Sequence, residues 1–190
     1  MRLIPPSASA FIRVHPRLRK QGRAGKLRGS VMNKTALIKK IVAQLRGELE
    51  LYFRAAQAAH AEATHEQSKA ENKYDTRGLE ASYLARGQSK QAAELRAAIE
   101  EYEAMAARKF APGEPIEVGA LVELELKGER MVYFVGPRAG GTEVAHEKQE
   151  VLVITPQSPL GEQLQGRKQG DRLQITIAGS KNEYRVVTVK

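Results

Sequence analysis

The segment SKAENKYDTRGLEASY, Ser68–Tyr83, separates two stretches that each carry an apolar repeat of helical period, and its reading decides the fold. Its first four residues form a capping box. A hydroxyl at Ser68 and a carboxylate three positions on, at Glu71, are the pair that satisfies free N–H groups at a helix start. A long helical segment that stops and restarts here bends back on itself, with lysines and carboxylates crowded at the tip.

Toward the N-terminus, Ile38, Val42, Leu45, Leu49, Tyr52, Ala56, Ala59 and Ala63 alternate steps of four and three, the seam of a coiled coil. Toward the C-terminus, Tyr74, Gly78, Ala81, Ala85, Gln88, Ala92, Leu95, Ile99, Tyr102 and Ala106 repeat that spacing, with Gln88 the polar member. Antiparallel matching sets Ile38 against Tyr102, Leu45 against Leu95 and Tyr52 against Gln88, which predicts a turn at residues 67–73. A turn at 75–79 keeps the period but carries Ile38 beyond Pro112, so it ranks second. Large side chains fill the base of this hairpin, and alanine and glycine line the half nearer the tip, where little apolar area is available for burial. Each arm spans roughly 50 Å at the helical rise.

The period changes after Arg108. Ala111-Pro112-Gly113-Glu114-Pro115 reads as a stop signal and linker. Ala120–Leu126 and Met131–Val135 form a predicted β-hairpin around Lys127–Arg130, and Val151–Thr155 a third strand. Ser158-Pro159-Leu160 has the form of a helix start, with serine as cap and proline at the first helical position, and the helix runs to Gln165. Leu173–Ile177 and Tyr184–Val189 close a mostly antiparallel sheet. The expected class is α+β, organised as a basic tail (1–31), a helical hairpin (32–110), a linker (111–115) and a small β-rich domain (116–190).

The chain has 190 residues, no cysteine and a net charge of +9. Disulfides and thiolate metal sites are excluded. No apolar run approaches the roughly 18 to 20 residues that span a bilayer, so no membrane partner is expected. The charge invites a nucleic-acid reading, but its distribution opposes one. Eight of the 31 basic residues lie in 1–31 with no acid, which leaves 23 basic against 22 acidic residues in 32–190. The tail, with its prolines and glycines and no apolar period, reads as disordered. It is an arm for nucleic acid, an Arg-rich transit peptide or, more simply, an over-extended reading frame ahead of a true start at Met32, with Asn33 as helix cap.

Two stretches carry a resemblance. SPLGEQLQGRKQGDRLQI (Ser158–Ile175) with YRVVTV (Tyr184–Val189) is similar to the C-terminal signature of the bacterial Gre transcript-cleavage factors, GreA and GreB. AENKYD (Ala70–Asp75) resembles the tip of their hairpin, Asp-Leu-Ser-Glu-Asn-Ala-Glu-Tyr, aligned on Glu71-Asn72 and then Tyr74. The resemblance covers residues 32–190. It implies a coiled-coil hairpin followed by an FKBP-like domain, in a cytoplasmic monomer that binds RNA polymerase. The C-terminal domain would dock at the rim of the secondary channel, with Ser158, Pro159 and Leu160 in the partner-binding signature. The hairpin would reach through the channel to the active site. Nucleic acid is then met only indirectly, through the elongation complex.

In that family two tip carboxylates, an Asp and a Glu three apart, help hold a magnesium ion and its attacking water, a task suited to hard oxygen ligands. Any RNA cleavage is catalysed by the polymerase, so the factor is not itself an enzyme. Magnesium belongs to the polymerase site, and this chain needs no cofactor or metal of its own. The family Glu maps to Glu71, the Asn to Asn72 and the Asp to Ser68. Serine brings no charge, and Lys69 and Lys73 flank the remaining glutamate. Glu66 or Asp75 is then the candidate second carboxylate, with Glu71 and Asp75 the assisting pair. The resemblance therefore implies channel occupancy more firmly than cleavage stimulation.

Competing readings attach to the same residues. Glu71 is equally well the back half of a capping box. His60, Glu62 and His65 resemble a metal motif, but the histidines are five apart where the helical zinc pattern needs four. An FKBP-like domain can be a prolyl isomerase, whose site is an aromatic pocket, and residues 116–190 offer only Tyr133, Phe134 and Tyr184. A coiled-coil adaptor with no polymerase role is the third reading.

Overall fold

The structure, a computed structural model, describes residues 33–64, 77–177 and 180–190. It is mixed α+β: helices α1 (Lys34–Thr64) and α2 (Arg77–Ala104) pack together, and a six-stranded sheet follows. The expected cap holds, because Asn33 Oδ1 accepts the Ala36 N–H at 3.1 Å. The basic tail, the expected turn at 67–73 and the tip residues Ser68, Glu71, Asn72 and Asp75 lie outside the described residues.

The two helices run antiparallel, in a register that differs from the expected one. Arg46 pairs with Glu103, and the Arg96 guanidinium lies 5.5 Å from the centre of the Phe53 ring. Each contact joins residues one step beyond a seam pair, Leu45 with Tyr102 and Tyr52 with Leu95. The observed register therefore lies one heptad further along α2 than the expected match of Leu45 with Leu95. A heptad seam is unchanged by a shift of seven residues, so its period alone does not choose between the two. The base of the helices supplies the choice. Leu37, Ile41, Leu45 and Tyr102 are all fully buried there, while Tyr52 and Leu95 are half-buried further out. Cysteines replacing Tyr52 and Leu95 should cross-link on oxidation, and cysteines replacing Tyr52 and Gln88 should not. The opposite outcome restores the other register.

The sheet contains β1 (Leu121–Leu126), β2 (Glu129–Val135), β3 (Glu143–His146), β4 (Gln149–Ile154), β5 (Arg172–Ile177) and β6 (Ser180–Val189), with a short helix α3 (Pro159–Leu164) between β4 and β5. Its order is β3-β4-β2-β1-β6-β5. The β1–β2 hairpin turns on Lys127 and Gly128, both at positive φ (51° and 85°). That geometry matches the twist of the flanking strands. β2 and β4 pair in parallel, and the other strand pairs are antiparallel. Strand β3 is absent from the sequence reading. It is only four residues long, and one of its two inward positions is filled by a histidine, His146. The core gathers Ile116, Val122, Leu124, Tyr133, Leu164, Ile175 and Val186, and Phe110 joins it from the segment that follows α2. Among the described residues, no helix is long and apolar enough to cross a membrane.

Candidate partner-binding site

Helix α3 forms where Ser158 and Pro159 predict it. Ser158 is the N-cap, in extended backbone with φ −74° and ψ 151°. Its Oγ accepts the Gly161 N–H at 3.1 Å and donates to Thr155 O at 2.7 Å. The hydroxyl is thus occupied on both sides by its own turn, and it serves to set the helix. Pro159 stands exposed at the first turn, while Leu160 is half-buried against the core and Leu164 fully buried within it. Gly161 lets the turn close, because a β-carbon there would overlap Thr155 O.

The helix ends at Gln165, and Gly166 follows at φ 77°. Backbone bonds from Gly166 N to Ile116 O (3.0 Å) and from Ile116 N to Arg167 O (2.7 Å) hold this turn beside residues 116–118. Asp171 Oδ2 accepts the Lys168 N–H at 2.9 Å, Arg167 Nε donates to Gln163 O at 3.4 Å, and both basic residues are exposed. Val118, 41 % exposed, lines a small dimple together with Ile116, Val135, Pro156 and Gly161. Pro159 and Val118 are thus exposed apolar side chains, and the basic pair Arg167 and Lys168 follows α3 in the next turn. Val118 was not singled out in the sequence; a lone valine among strands carries no signal of exposure.

A second group of residues ties the helices to the sheet. Lys34 Nζ donates to Gly119 O at 3.0 Å and lies 4.7 Å from the centre of the Phe110 ring, with the Arg108 guanidinium at the same distance. Lys40 Nζ donates to Ala145 O at 2.8 Å, and Asn33 N to Glu147 Oε1 at 3.2 Å. From α2, Tyr102 Oη donates to Arg138 O at 2.9 Å, and Arg138 Nε donates to Glu101 at 2.6 Å. The role of Lys34 has a trace in the sequence, since it begins the run of inward positions continued by Leu37, Ile41 and Leu45.

Burial, assisted by repulsion from Arg108, lowers the Lys34 pKa from 10.5 to about 8. The unfolded chain therefore binds more protons at this position between pH 8 and 10.5, and stability should rise with pH across that window. Tyr133, pushed up to about 12 by burial and then by Tyr184, acts in the opposite sense above pH 10. There the unfolded tyrosine ionises first. Melting temperatures should climb from pH 8 toward 10 and then fall. In Lys34→Met the climb should vanish and the fall remain; a climb kept in the variant assigns it elsewhere.

The other candidate chemistries find little support in this geometry. Tyr133, Phe134 and Tyr184 are all buried in or against the core, so they line no open aromatic cleft. His60 is exposed on α1, while His65 lies outside the described residues. Among the described residues no group of three His, Asp or Glu side chains is placed to hold a metal ion.

Residues 111–190 match the family described as transcription elongation factor, GreA/GreB, C-terminal domain. The chain is 33 % identical over 123 residues to the transcription inhibitor protein Gfh1 of Thermus thermophilus, covering 61 % of this chain and 72 % of that protein. Among solved structures it is similar to GreA factor homolog 1 (Gfh1) of Thermus thermophilus, at 26 % identity and TM-score 0.33, covering 78 % of this chain and 94 % of that one. It is similar also to Thermus aquaticus Gfh1, at 26 % identity and TM-score 0.35, with 82 % and 93 % covered.

Proposed function

This chain belongs to the GreA/GreB family of transcription elongation factors, and from that premise we propose that it binds RNA polymerase at the secondary channel and restrains elongation without stimulating transcript cleavage. The observation that carries this reading is the 33 % identity to a protein named as a transcription inhibitor, over 72 % of that protein's length. In this reading the residues after the linker adopt an FKBP-like fold and dock at the channel rim. Exposed Pro159 and Val118 supply apolar contact, and Arg167 and Lys168 meet acidic groups on the partner. Helices α1 and α2 act as a coiled-coil hairpin that occupies the channel.

The sequence of the tip supports inhibition over cleavage. Ser68 stands where the cleavage factors place an aspartate, which leaves Glu71 flanked by Lys69 and Lys73. One carboxylate flanked in sequence by two lysines would give a divalent ion far less electrostatic stabilisation than a carboxylate pair gives. The test uses backtracked elongation complexes with the unmodified protein, Ser68→Asp and Glu71→Ala. The unmodified protein should slow elongation and release little cleaved RNA. Ser68→Asp should gain cleavage, and Glu71→Ala should still compete with other secondary-channel factors. Strong cleavage by the unmodified protein that vanishes in Glu71→Ala refutes the inhibitory reading. Failure to bind core polymerase refutes the whole of it.

A further inference from the structure

The two edges of the sheet are treated differently. At one edge β3 is crossed by α1, whose Lys40 ammonium caps the carbonyl of Ala145. At the other edge β5 has a strand neighbour on one side, β6, and helix α3 packs against it without a hydrogen bond to its outward groups. Val186 N–H donates to Asp171 O at 2.9 Å, so position 171 bonds toward β6. Antiparallel pairing alternates from residue to residue. The N–H and C=O groups of Leu173, Ile175 and Ile177 therefore also face β6, while those of Arg172, Gln174 and Thr176 face away. Among the described residues no backbone hydrogen bond reaches that outward side.

Proteins commonly guard such an edge with proline, an inward charge, a bulge or a covering element. Strand β5, Arg-Leu-Gln-Ile-Thr-Ile, has no proline, one charge at its first position and an unbroken register with β6. Basic side chains outnumber acids along β5 and β6, although Arg185 also stands across from Glu125 of β1. Residues 166–190 hold six basic side chains against two acids. Arg172 lies directly across from Arg185, an unfavourable placement of like charges. Of the two acids, Asp171 is engaged by the Lys168 N–H and Glu183 by Arg172 at 3.4 Å.

We propose that the outer edge of β5 is a docking site for an extended acidic polypeptide segment, which adds to the sheet as a further strand. The outward N–H and C=O groups of Arg172, Gln174 and Thr176 supply main-chain bonds. The Arg172–Arg185 pair, with Arg167 and Lys168 at its end, selects the charge of the segment. A second copy of this chain is disfavoured, because it would bring the same basic cluster against itself. The site shares Arg167 and Lys168 with the surface proposed for polymerase but includes neither Pro159 nor Val118, and its test involves no polymerase.

The probe is a fluorescent peptide of alternating glutamate and valine, about as long as β5, with a lysine–valine peptide as control, added to the full chain. Binding of the acidic peptide should be saturable, weaken with salt and shift the amide resonances of β5. The lysine peptide should not bind. Gln174→Pro removes an outward N–H that the ladder to β6 does not use, and edge positions tolerate proline. It should weaken the acidic peptide at least about tenfold with the melting temperature nearly kept. Arg172→Glu with Arg185→Glu should transfer preference to the lysine peptide, a readout independent of how Gln174→Pro folds. Equal binding of both peptides, no binding of either, or full affinity in Gln174→Pro overturns the proposal. So does self-association that Gln174→Pro abolishes, which assigns the edge to a second copy.

Discussion

Replacing Gly161 with alanine will lower stability by about 3 kcal/mol, near the upper end of the usual cost of overpacking. Gly161 is buried, and its φ is not among the positive values of the chain. An alanine could thus adopt its backbone angles, and the obstacle is space alone. The added β-carbon would overlap Thr155 O and crowd Ser158 Oγ, the same two groups whose hydrogen bond sets the helix cap. One obstructing atom belongs to the backbone, so relief requires α3 to move off the sheet. Pro159 and Leu160 move with it, and on the docking proposed for this surface the variant should also lose affinity for polymerase. Pro159→Ala provides the contrast, because it should weaken polymerase binding with little change in melting temperature. A Gly161→Ala protein that melts like the parent refutes the steric account.

Tyr102→Ala will cost about 3–5 kcal/mol, the range for emptying a large aromatic site in a core. Tyr102→Phe should cost nearer ~1 kcal/mol, the worth of one hydrogen bond. Tyr102 is fully buried, and its ring centroid lies 6.5 Å from that of Phe134. Its hydroxyl donates to Arg138 O. Gly136 lies against the same hydroxyl, with no room there for a β-carbon. Urea unfolding of the three proteins separates ring packing from the hydrogen bond. Equal losses in the two variants assign the whole effect to the hydroxyl.

Tyr102 also shows where sequence reading stops. Its place in the apolar seam was legible from spacing, and so was the partnership of two long helices. Its opposite number was not. The seam repeats every seven residues, so matches one heptad apart satisfy the pattern equally. Contacts outside the pattern, Arg46 with Glu103 and Arg96 with the Phe53 ring, distinguish them. Strand β3 was missed for a related reason. Val144 and His146 fill its two inward positions, and alternation needs more than one apolar residue to register as a signal.

Local chemistry determined by itself the elements that depend only on near neighbours. The capping of α1 by Asn33 and of α3 by Ser158 and the proline at the first turn of α3 follow from side chains and backbone a few residues apart. The same nearness made the C-terminal signature readable. The break expected after Arg108 comes earlier, since α2 ends at Ala104 and the chain then runs without helix to Phe110, which is drawn into the core of the sheet. Tertiary structure alone decided the register of the two helices, the parallel pairing of β2 with β4, the exposure of Val118 and the open edge of β5. It also decided that Lys34, at the head of an apolar run, would place its ammonium on Gly119 O beside Phe110. Each of these depends on which distant segment arrives at a given surface, and a repeating or unmarked local pattern leaves several arrivals equivalent until the rest of the core has excluded all but one.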